Sequence, residues 1–398
     1  GLVVVPDDMD VEDFTAVQHP ADDAESDTIT THFEYHCMED NLLKLDMLGH
    51  DDPTMIRMLE DLTGVNARAI PLDDPDTMSI FTSSRVLGFE NDEILGPTGA
   101  VAIPEFNTRF TRGMLMDTQP RDFNTLVRLS GFSHGTDVWL GNARELIVSG
   151  TASVLETVGC RDDIMLYLIS MGLDPKMSFK IMEAVRKGKV KKGGFQEGWE
   201  EAMRDHQVPD WYIESLAKIG YLFPKAHAVA YVMMAFRIAW FKVHHPLAFY
   251  SAYFYRRSQK GGFDAVLMTH GKDAVVANID AIENNENATD KDEDLLTTLE
   301  VAYEYYIRGF EFLPISIYDS HATKFIIKDG KLLPPFVAIS GLGENAAWDL
   351  MRGREGKTFL SVEEVAAACP KVSKTHIQML REAGAFGDLP DTSQVSFF

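Results

Sequence analysis

Residues 223–243, FPKAHAVAYVMMAFRIAWFKV, contain the longest apolar run of the chain, at positions 226–243. Three polar side chains interrupt that run: His227, Arg237 and Lys242. They make the run too polar to be predicted as a membrane span. It closes a stretch from about residue 121 to 246 whose pattern is almost entirely that of helices. We therefore predict that helices form most of the fold.

Glycines divide this helical stretch at intervals typical of helix ends, where glycine readily takes the left-handed conformation. They are Gly131, Gly141, Gly150, Gly159 and Gly172. Upstream, Asp52 followed by Pro53 predicts a helix start, and Gly64 predicts its end. Residues 1 to about 50 instead carry two β-prone runs, at 3–5 and 42–48. The polar, acidic segment 284–295 predicts an exposed loop.

The composition is that of an ordinary globular protein. Its 398 residues allow about two to three domains, and 45% hydrophobic with 25% charged residues permits a packed core. The three cysteines lie far apart without a Cys-x-x-Cys pair, which indicates neither a zinc knuckle nor a disulfide framework and fits a reducing cytoplasm. Because the sequence begins at Gly1 and runs straight into an apolar strand pattern, we expect it to be part of a longer chain.

The formal net charge of −24 argues against nucleic-acid binding by the whole surface. One basic segment stands out: residues 176–192 contain seven cations and one anion, Glu183. It is densest at 186–192, RKGKVKK. Cations at a helix end ordinarily complement the helix dipole and remain solvated. In so acidic a chain, their segregation also indicates a local contact with an anionic ligand.

Residues 41–53, NLLKLDMLGHDDP, form the first motif that can carry chemistry. Side chains alternate faces along a strand, so Lys44 and Asp46 would share one face. Aspartate is disfavoured in strands, and an acid on an apolar strand requires a cation, hydrogen bonds or a metal ion. On the residues alone, a Lys44–Asp46 pair at a strand edge is the simpler interpretation.

Cations and rings of the helical stretch form the second set. A triphosphate requires several convergent cationic donors. The candidates are Arg161, Arg186, Lys187, Lys189 and Lys225. His227 and Tyr231 are four residues apart on one helical face, where they could pack against a base pair. The alternative is that both are core residues, and that His134 and Asp137 cap the start of a helix.

Residues 339–347, ISGLGENAA, place two glycines directly before a predicted helix. This pattern resembles the hairpin of a helix-hairpin-helix unit, whose backbone N–H groups hold a DNA phosphate without reading sequence. The predicted DNA contacts are Gly341, Gly343, Asn345, Lys191 and Lys192. An ordinary helix start after a glycine turn is the alternative. Residues 372–387 predict a second, degenerate helical pair.

In this order, the motifs resemble the PolC-type alpha subunit of bacterial DNA polymerase III, a C-family replicative polymerase. The resemblance spans nearly the whole chain and is strongest at LLKLDMLGHDDPT (42–54), SHGTDVWLGN (133–142), FPKAHAVAY (223–231) and QVSFF (394–398). It implies an α+β, predominantly α fold. Its expected parts are a partial palm β-sheet, helical fingers, and a C-terminal duplex-binding domain with a helix-hairpin-helix.

The resemblance implies template-directed DNA synthesis, in which two Mg²⁺ ions roughly 4 Å apart stabilise the attacking and leaving oxygens. Asp46 would be catalytic and hold one ion, and Lys44 would lie near a primer or substrate phosphate. The family also uses an Asp-x-Asp pair on an apolar strand; the acidic stretches 73–76 and 290–294 are polar loop sequences and do not qualify, so we expect that pair to lie outside this sequence. We therefore predict that the chain alone is inactive. The implied substrates are deoxynucleoside triphosphates and primed template DNA, in the cytoplasm.

The last five residues resemble the short peptide with which such polymerases bind the sliding clamp. They are Gln394, Val395, Ser396, Phe397 and Phe398. Two aromatic rings on a tail favour a hydrophobic pocket on a partner, although Val395 and Phe397 replace the commoner leucines. A tail tucked onto its own domain is the alternative.

The resemblance also assigns regions: palm 1–60, fingers 61–245, a duplex-binding region near the clamp 246–330, helix-hairpin-helix 331–390 and clamp-binding tail 391–398. The implied partners are DNA, the clamp, upstream polymerase domains and other replisome subunits, with no membrane. Two other classes stay open. One is a non-catalytic DNA-binding and clamp-tethering module. The other is an acidic helical interaction protein, which steeply salt-dependent DNA binding would exclude.

Overall fold

The computed structural model describes residues 1–45, 47 and 49–393, with the side chain of Asp22 left out. The chain forms two compact units, Gly1–Asp51 and a larger unit that begins at Asp52. Helices dominate the larger unit, which confirms the predicted, mainly helical α+β class.

The small unit contains two antiparallel strand pairs. Its strands are β1 (Leu2–Val4), β2 (Val17–Gln18), β3 (Thr30–Thr31) and β4 (Leu43–Leu45). β1 pairs with β4 so that Val3 faces Lys44, and β2 pairs with β3. Both predicted β-prone runs therefore contain a strand, at Leu2–Val4 and at Leu43–Leu45. Cross-strand partners share a face, so Lys44 and Val3 lie on one side of their pair.

The larger unit is a succession of helices with one short β-hairpin. Its helices are α1 (Asp51–Thr63, beginning at the last residue of the small unit), α2 (Pro75–Ser79), α3 (Arg109–Thr118), α4 (Phe123–His134), α5 (Arg144–Val148), α6 (Arg161–Ser170), α7 (Pro175–Arg186), α8 (Lys189–Gly193), α9 (Trp199–Asp205), α10 (Asp210–Lys218), α11 (Lys225–His244), α12 (Pro246–Gln259), α13 (Ala265–Met268), α14 (Lys272–Glu283), α15 (Asp290–Ile307), α16 (Glu344–Arg354), α17 (Val362–Ala368) and α18 (Lys374–Glu382). The hairpin is β5 (Ile326–Lys328) and β6 (Lys331–Leu333).

The apolar run at 226–243 forms α11, the central helix of the core. It packs against α2, α4, α6 and α12. By length and composition it is the one helix in the described part of the chain that could cross a membrane. Its fully buried residues, among them Val232, Phe236 and Phe241, account for that composition as core packing.

Lys242 lies in this core with 0% of its side chain exposed. Its ammonium donates to the carbonyl oxygens of Gly99 and Val101, at 2.8 and 2.6 Å, and to the Glu304 carboxylate at 2.8 Å. Burial lowers the pKa of Lys242 to about 8, against the opposing effect of Glu304. Lys242, a polar residue within the apolar run, therefore binds both the loop at 99–101 and α15 to α11.

Two predicted helix-end glycines are instead points of close approach. Gly131 lies inside α4, where a Cβ would collide with the carbonyl oxygen of Gly159 and lie 2.7 Å from Cys160 Sγ. A Cβ at Gly159 would lie 2.5 Å from Arg128 Cδ. The prediction of helix ends there is wrong because the backbone preceding α6 contacts α4. The other three, Gly141, Gly150 and Gly172, have positive φ as helix-end glycines do.

The acidic segment 284–295 is only in part a loop. α15 begins at Asp290, and Thr289 caps it: the Asp292 carboxylate accepts from the Thr289 amide at 2.8 Å, and the Thr289 hydroxyl accepts from the Asp292 amide. Acidic side chains stabilise the first turn of a helix. The composition of the second half of this segment is therefore that of a helix start.

In the C-terminal region, β5 pairs antiparallel with Lys331–Leu333. Phe336–Ala338 forms a 3-10 turn. α16 begins at Glu344, directly after the glycine turn. The second helical pair predicted at 372–387 is wrong in its bounds, because that segment contains only α18, which packs against α17 at Val362–Ala368.

Candidate nucleotide site and DNA-binding hairpin

Four rings gather where α4 ends and α11 begins. His134 and Phe223 stack with centroids 4.6 Å apart, and Phe223 stacks on Tyr231 at 6.2 Å. His227 lies 5.9 Å from Phe223. We call these four residues the ring cluster. His227 is exposed and Tyr231 half-buried, so the alternative that His227 is a core residue is wrong. A partly exposed wall of rings can stack against a base.

The segment before α11 brings two helix starts together. The Arg161 amide donates to the Phe223 carbonyl at 3.2 Å, and the Lys225 amide donates to the Asp162 carboxylate at 2.9 Å. α6 and α11 therefore begin side by side, next to the ring cluster. Arg161, the first residue of α6, makes no ion pair within the described residues.

Asp163 organises the cations at this junction. Its carboxylate accepts from Arg128 at 3.0 Å and from Lys225 at 3.3 Å, and it caps α6 by accepting from the Cys160 amide at 2.8 Å. Burial raises the pKa of the Cys160 thiol to about 12, and Asp163 adds to that shift, so this thiol is not activated as a nucleophile. Lys225 thus reaches the ring cluster as part of a structured ion-pair group.

Fewer cations of the basic segment, residues 176–192, are available to bind a ligand than its sequence suggests. Arg186 donates both to Glu183 Oε1 and, at 2.9 Å, to Oε2, and Lys187 lies 3.1 Å from the same carboxylate. The Arg186 hydrogen bonds, with Lys187, lower the pKa of Glu183 to about 2. Lys189 and Lys192 are exposed, and within the described part of the chain they form no ion pair.

Lys191 binds Asp137 at 2.6 Å, and this contact corrects the capping interpretation. His134 is the last residue of α4, not the first of a helix, and Asp137 lies in the following loop with φ +57°. The structure brings Arg161, Lys225, His227 and Tyr231 together. Two further members, Phe223 and His134, were not predicted as contacts, although Phe223 stands in the quoted motif FPKAHAVAY.

The predicted catalytic pair falls partly outside the described residues. Lys44 lies on β4, with its ammonium 5.0 Å from the centre of the Tyr35 ring. Asp46, predicted to be catalytic and to bind metal, is not among the described residues. Among those that are, no group of three or more His, Cys, Asp or Glu side chains is arranged to hold a metal ion.

The glycine turn before α16 has the features of a phosphate-binding hairpin. Gly341 has φ +88°, and Gly343 precedes α16 without a side-chain cap. The first N–H groups of α16, at Glu344 and Asn345, therefore have no side-chain acceptor at the cap. A cavity of about 930 Å³ lies beside the turn, and both basic and acidic side chains line it. Its charged residues are Lys260, Lys291, Asp264, Asp292, Asp294 and Glu344.

The predicted clamp-binding residues Gln394, Val395, Ser396, Phe397 and Phe398 all lie outside the described residues.

Comparison with known families agrees with this layout. Residues 52–207 match the finger domain of the bacterial DNA polymerase III alpha subunit, and residues 309–394 match a helix-hairpin-helix motif. These two matches define the class: bacterial DNA polymerase III alpha subunits. The whole chain aligns with DNA polymerase III PolC-type of Caldanaerobacter subterraneus subsp. tengcongensis at 53% identity, of Bacillus cereus at 52% and of Bacillus subtilis at 51%.

The chain therefore belongs to the PolC-type DNA polymerase III family. It spans 27% of the Bacillus cereus and Bacillus subtilis relatives and 28% of the Caldanaerobacter relative.

Proposed function

We propose that this chain supplies the incoming-nucleotide site and part of the duplex-binding surface of a DNA-directed DNA polymerase in bacterial chromosome replication. The observation that carries the proposal is the junction of α6 and α11, where Arg161 and Lys225 lie beside the ring cluster. Cations suit a triphosphate and rings suit a base, and here both occur at one place.

Within this site, Arg161 is the proposed phosphate ligand. It carries a forked donor and forms no ion pair in the described structure. The Asp163 carboxylate binds both Lys225 and Arg128, so the positive charge that Lys225 brings to the site is already partly neutralised. Lys189 and Lys192 add exposed charge, whereas Arg186 and Lys187 mainly stabilise the end of α7 through Glu183.

DNA polymerases use divalent metal ions, and Mg²⁺ is the proposed ion because it prefers carboxylate and phosphate oxygens. Asp46 is the proposed carboxylate from this chain. Because no Asp-x-Asp pair on an apolar strand is recognised in this sequence, the further carboxylates are proposed to come from another part of the polymerase. The 398-residue chain alone is therefore expected to extend no primer.

The other partners follow from the C-terminal features. The N–H groups of the Gly341–Asn345 turn suit a duplex phosphate, with Lys191 and Lys192 as further contacts. The last five residues, 394–398, are the proposed clamp-binding peptide, and deleting them should weaken binding to the ring clamp. A cytoplasmic place within the replisome is part of the same proposal.

Primer extension by the complete polypeptide that carries this sequence tests the proposal. Arg161→Ala should raise the KM for deoxynucleoside triphosphate about tenfold or more, the size expected for a charge-assisted hydrogen bond, with DNA affinity unchanged. Lys272→Ala, an exposed lysine at the start of α14, is the matched control. A complete polypeptide that binds primed DNA but incorporates no nucleotide at any Mg²⁺ concentration would instead support the tethering module.

A further inference from the structure

The loop at 99–107 adopts a backbone that its residues disfavour. Ala102 and Glu105 have φ of +63° and +69°, in the left-handed region that non-glycine residues seldom occupy. Such conformations persist only where the surroundings enforce them, and they concentrate at functional sites. Glu105 is also buried, with 8% of its side chain exposed.

Two sets of hydrogen bonds hold this loop in its conformation. Lys242 holds the carbonyl oxygens of Gly99 and Val101 from the core, and Asn107 Oδ1 accepts from the Ala102 amide at 2.6 Å. The loop is therefore fixed before and after its left-handed residues. The loop held in this way places the Glu105 carboxylate against Ser130 and His134 at the end of α4.

One oxygen of Glu105 bonds to two side chains of α4. Oε2 accepts from Ser130 Oγ at 3.0 Å and lies 2.7 Å from His134 Nε2. Ser130 and His134 are four residues apart, hence on one face of the helix. The hydrogen bond to Glu105 raises the pKa of His134, although burial acts in the opposite direction. His134 is in turn the ring that stacks on Phe223.

We propose that Glu105 is a positioning residue of the nucleotide site, which holds His134 in the ring cluster in a fixed orientation before substrate arrives. The inference rests on the proposed function, because it assigns the ring cluster to the incoming nucleotide. With Nε2 bound to Glu105, His134 presents its ring face to Phe223 and keeps Nδ1 as a second polar atom. A preformed wall lowers the ordering cost of binding, so the loss should appear in nucleotide affinity.

The test is steady-state nucleotide incorporation by the complete polypeptide on a primed template. Glu105→Gln should raise the KM for deoxynucleoside triphosphate about tenfold and leave kcat within about twofold, the split expected for lost ground-state binding. Glu214→Gln, an exposed glutamate on α10, is the control. If Glu105 acts through His134, the Glu105→Gln/His134→Gln double variant should be no weaker than His134→Gln alone.

Several outcomes would overturn the inference. A Glu105→Gln variant with normal KM but a lower thermal midpoint would show a purely structural role. Additive effects in the double variant would show that Glu105 does not act through His134. Arg161→Ala separates the failure of the nucleotide site from the failure of the positioning role. If Arg161→Ala leaves the KM for deoxynucleoside triphosphate unchanged, the proposed nucleotide site is wrong. If Arg161→Ala raises KM while Glu105→Gln does not, only the positioning role fails.

Discussion

The ring-cluster site and the glycine turn before α16 are built from different parts of the chain. The ring-cluster site is formed by side chains: the Asp163 carboxylate binds both Arg128 and Lys225, and the rings stack on one another. The turn before α16 is formed by the backbone: Gly341 has a positive φ, and the first N–H groups of α16 have no side-chain cap. One site is suited to recognising a specific small molecule, and the other to holding any phosphate.

This difference predicts how each site responds to change. A side-chain site depends on the packing beneath it, because its ligands must be held in place by neighbours. A backbone site depends on a few glycines and tolerates changes around it. Substitutions under the ring cluster should therefore be costly, and substitutions at the turn should be mild.

The largest effect is expected in the core, where Lys242 holds the start of the loop that carries Glu105. Lys242→Met should lower the free energy of unfolding by about 3–5 kcal/mol, because the Gly99 and Val101 carbonyls lose the ammonium that donates to them and the buried Glu304 carboxylate keeps the Tyr250 hydroxyl but loses its cation. Urea unfolding of the 398-residue chain measures this. Lys272→Met, at an exposed lysine, should stay within about 0.5 kcal/mol. Equal losses from both substitutions would remove the claim that a buried ammonium supports the site.

A second large effect is expected at the contact between α4 and the backbone before α6. Gly131→Ala should cost about 2–3 kcal/mol, because its Cβ meets the rigid backbone of Gly159. Gly113→Ala is the matched control inside α3, where a Cβ meets nothing within 4 Å and should stabilise by roughly 0.5–1 kcal/mol. The opposite signs of these two changes, measured by urea unfolding, are the decisive feature. A stabilised Gly131→Ala would contradict the close approach.

A smaller effect is expected at the turn. Gly341→Ala should cost about 1–2 kcal/mol, since φ is +88° and the Cβ would lie 2.9 Å from the Met379 methyl, the movable end of a flexible side chain. At Gly343 a Cβ meets nothing within 4 Å, so Gly343→Ala should leave stability nearly unchanged. Thermal unfolding of both variants checks this. A Gly343 variant as unstable as the Gly341 variant would show that the turn is not ordered as described.

The mildest effect is a shift of one titration. His134 has its pKa raised from 6.5 mainly by the Glu105 hydrogen bond, so this pair stabilises the fold below about pH 6.5 and its contribution is lost as pH rises through the raised pKa. The titratable groups that contact it are Glu105 from the loop and Tyr231 from α11. In Glu105→Gln the His134 pKa should fall, as followed by nuclear magnetic resonance of the imidazole protons.

The matched Glu214→Gln variant should leave that titration where it was. If Glu105→Gln does not move the His134 resonance, the hydrogen bond does not set its charge.

Local patterns in the sequence predicted much of this molecule. The apolar run at 226–243 identified α11, Asp52 followed by Pro53 marked the start of α1 to within about two residues, and the two glycines before α16 identified the turn. Each of these is decided within a few neighbouring residues. The position of His227 and Tyr231 on one face followed from helical spacing alone.

Contacts between distant residues could not be predicted in the same way. Gly131 is confined by Gly159 and Cys160, and nothing in its own helix indicates this. Glu105 contacts His134 from a loop whose Gly99 and Val101 carbonyls are bound by Lys242, more than a hundred positions away. Charge counting also overestimated the basic segment, since Glu183 neutralises Arg186 and Lys187 through contacts that composition does not reveal.

Photocrosslinking of an azido-substituted deoxynucleoside triphosphate to the complete polypeptide on primed DNA tests the central claim most directly. The label should map by mass spectrometry to the peptide between Lys225 and Arg237, which contains His227 and Tyr231, and unlabelled nucleotide should compete for it. Competed labelling found only outside the α4, α6 and α11 region would contradict the assignment of the ring cluster to the incoming nucleotide.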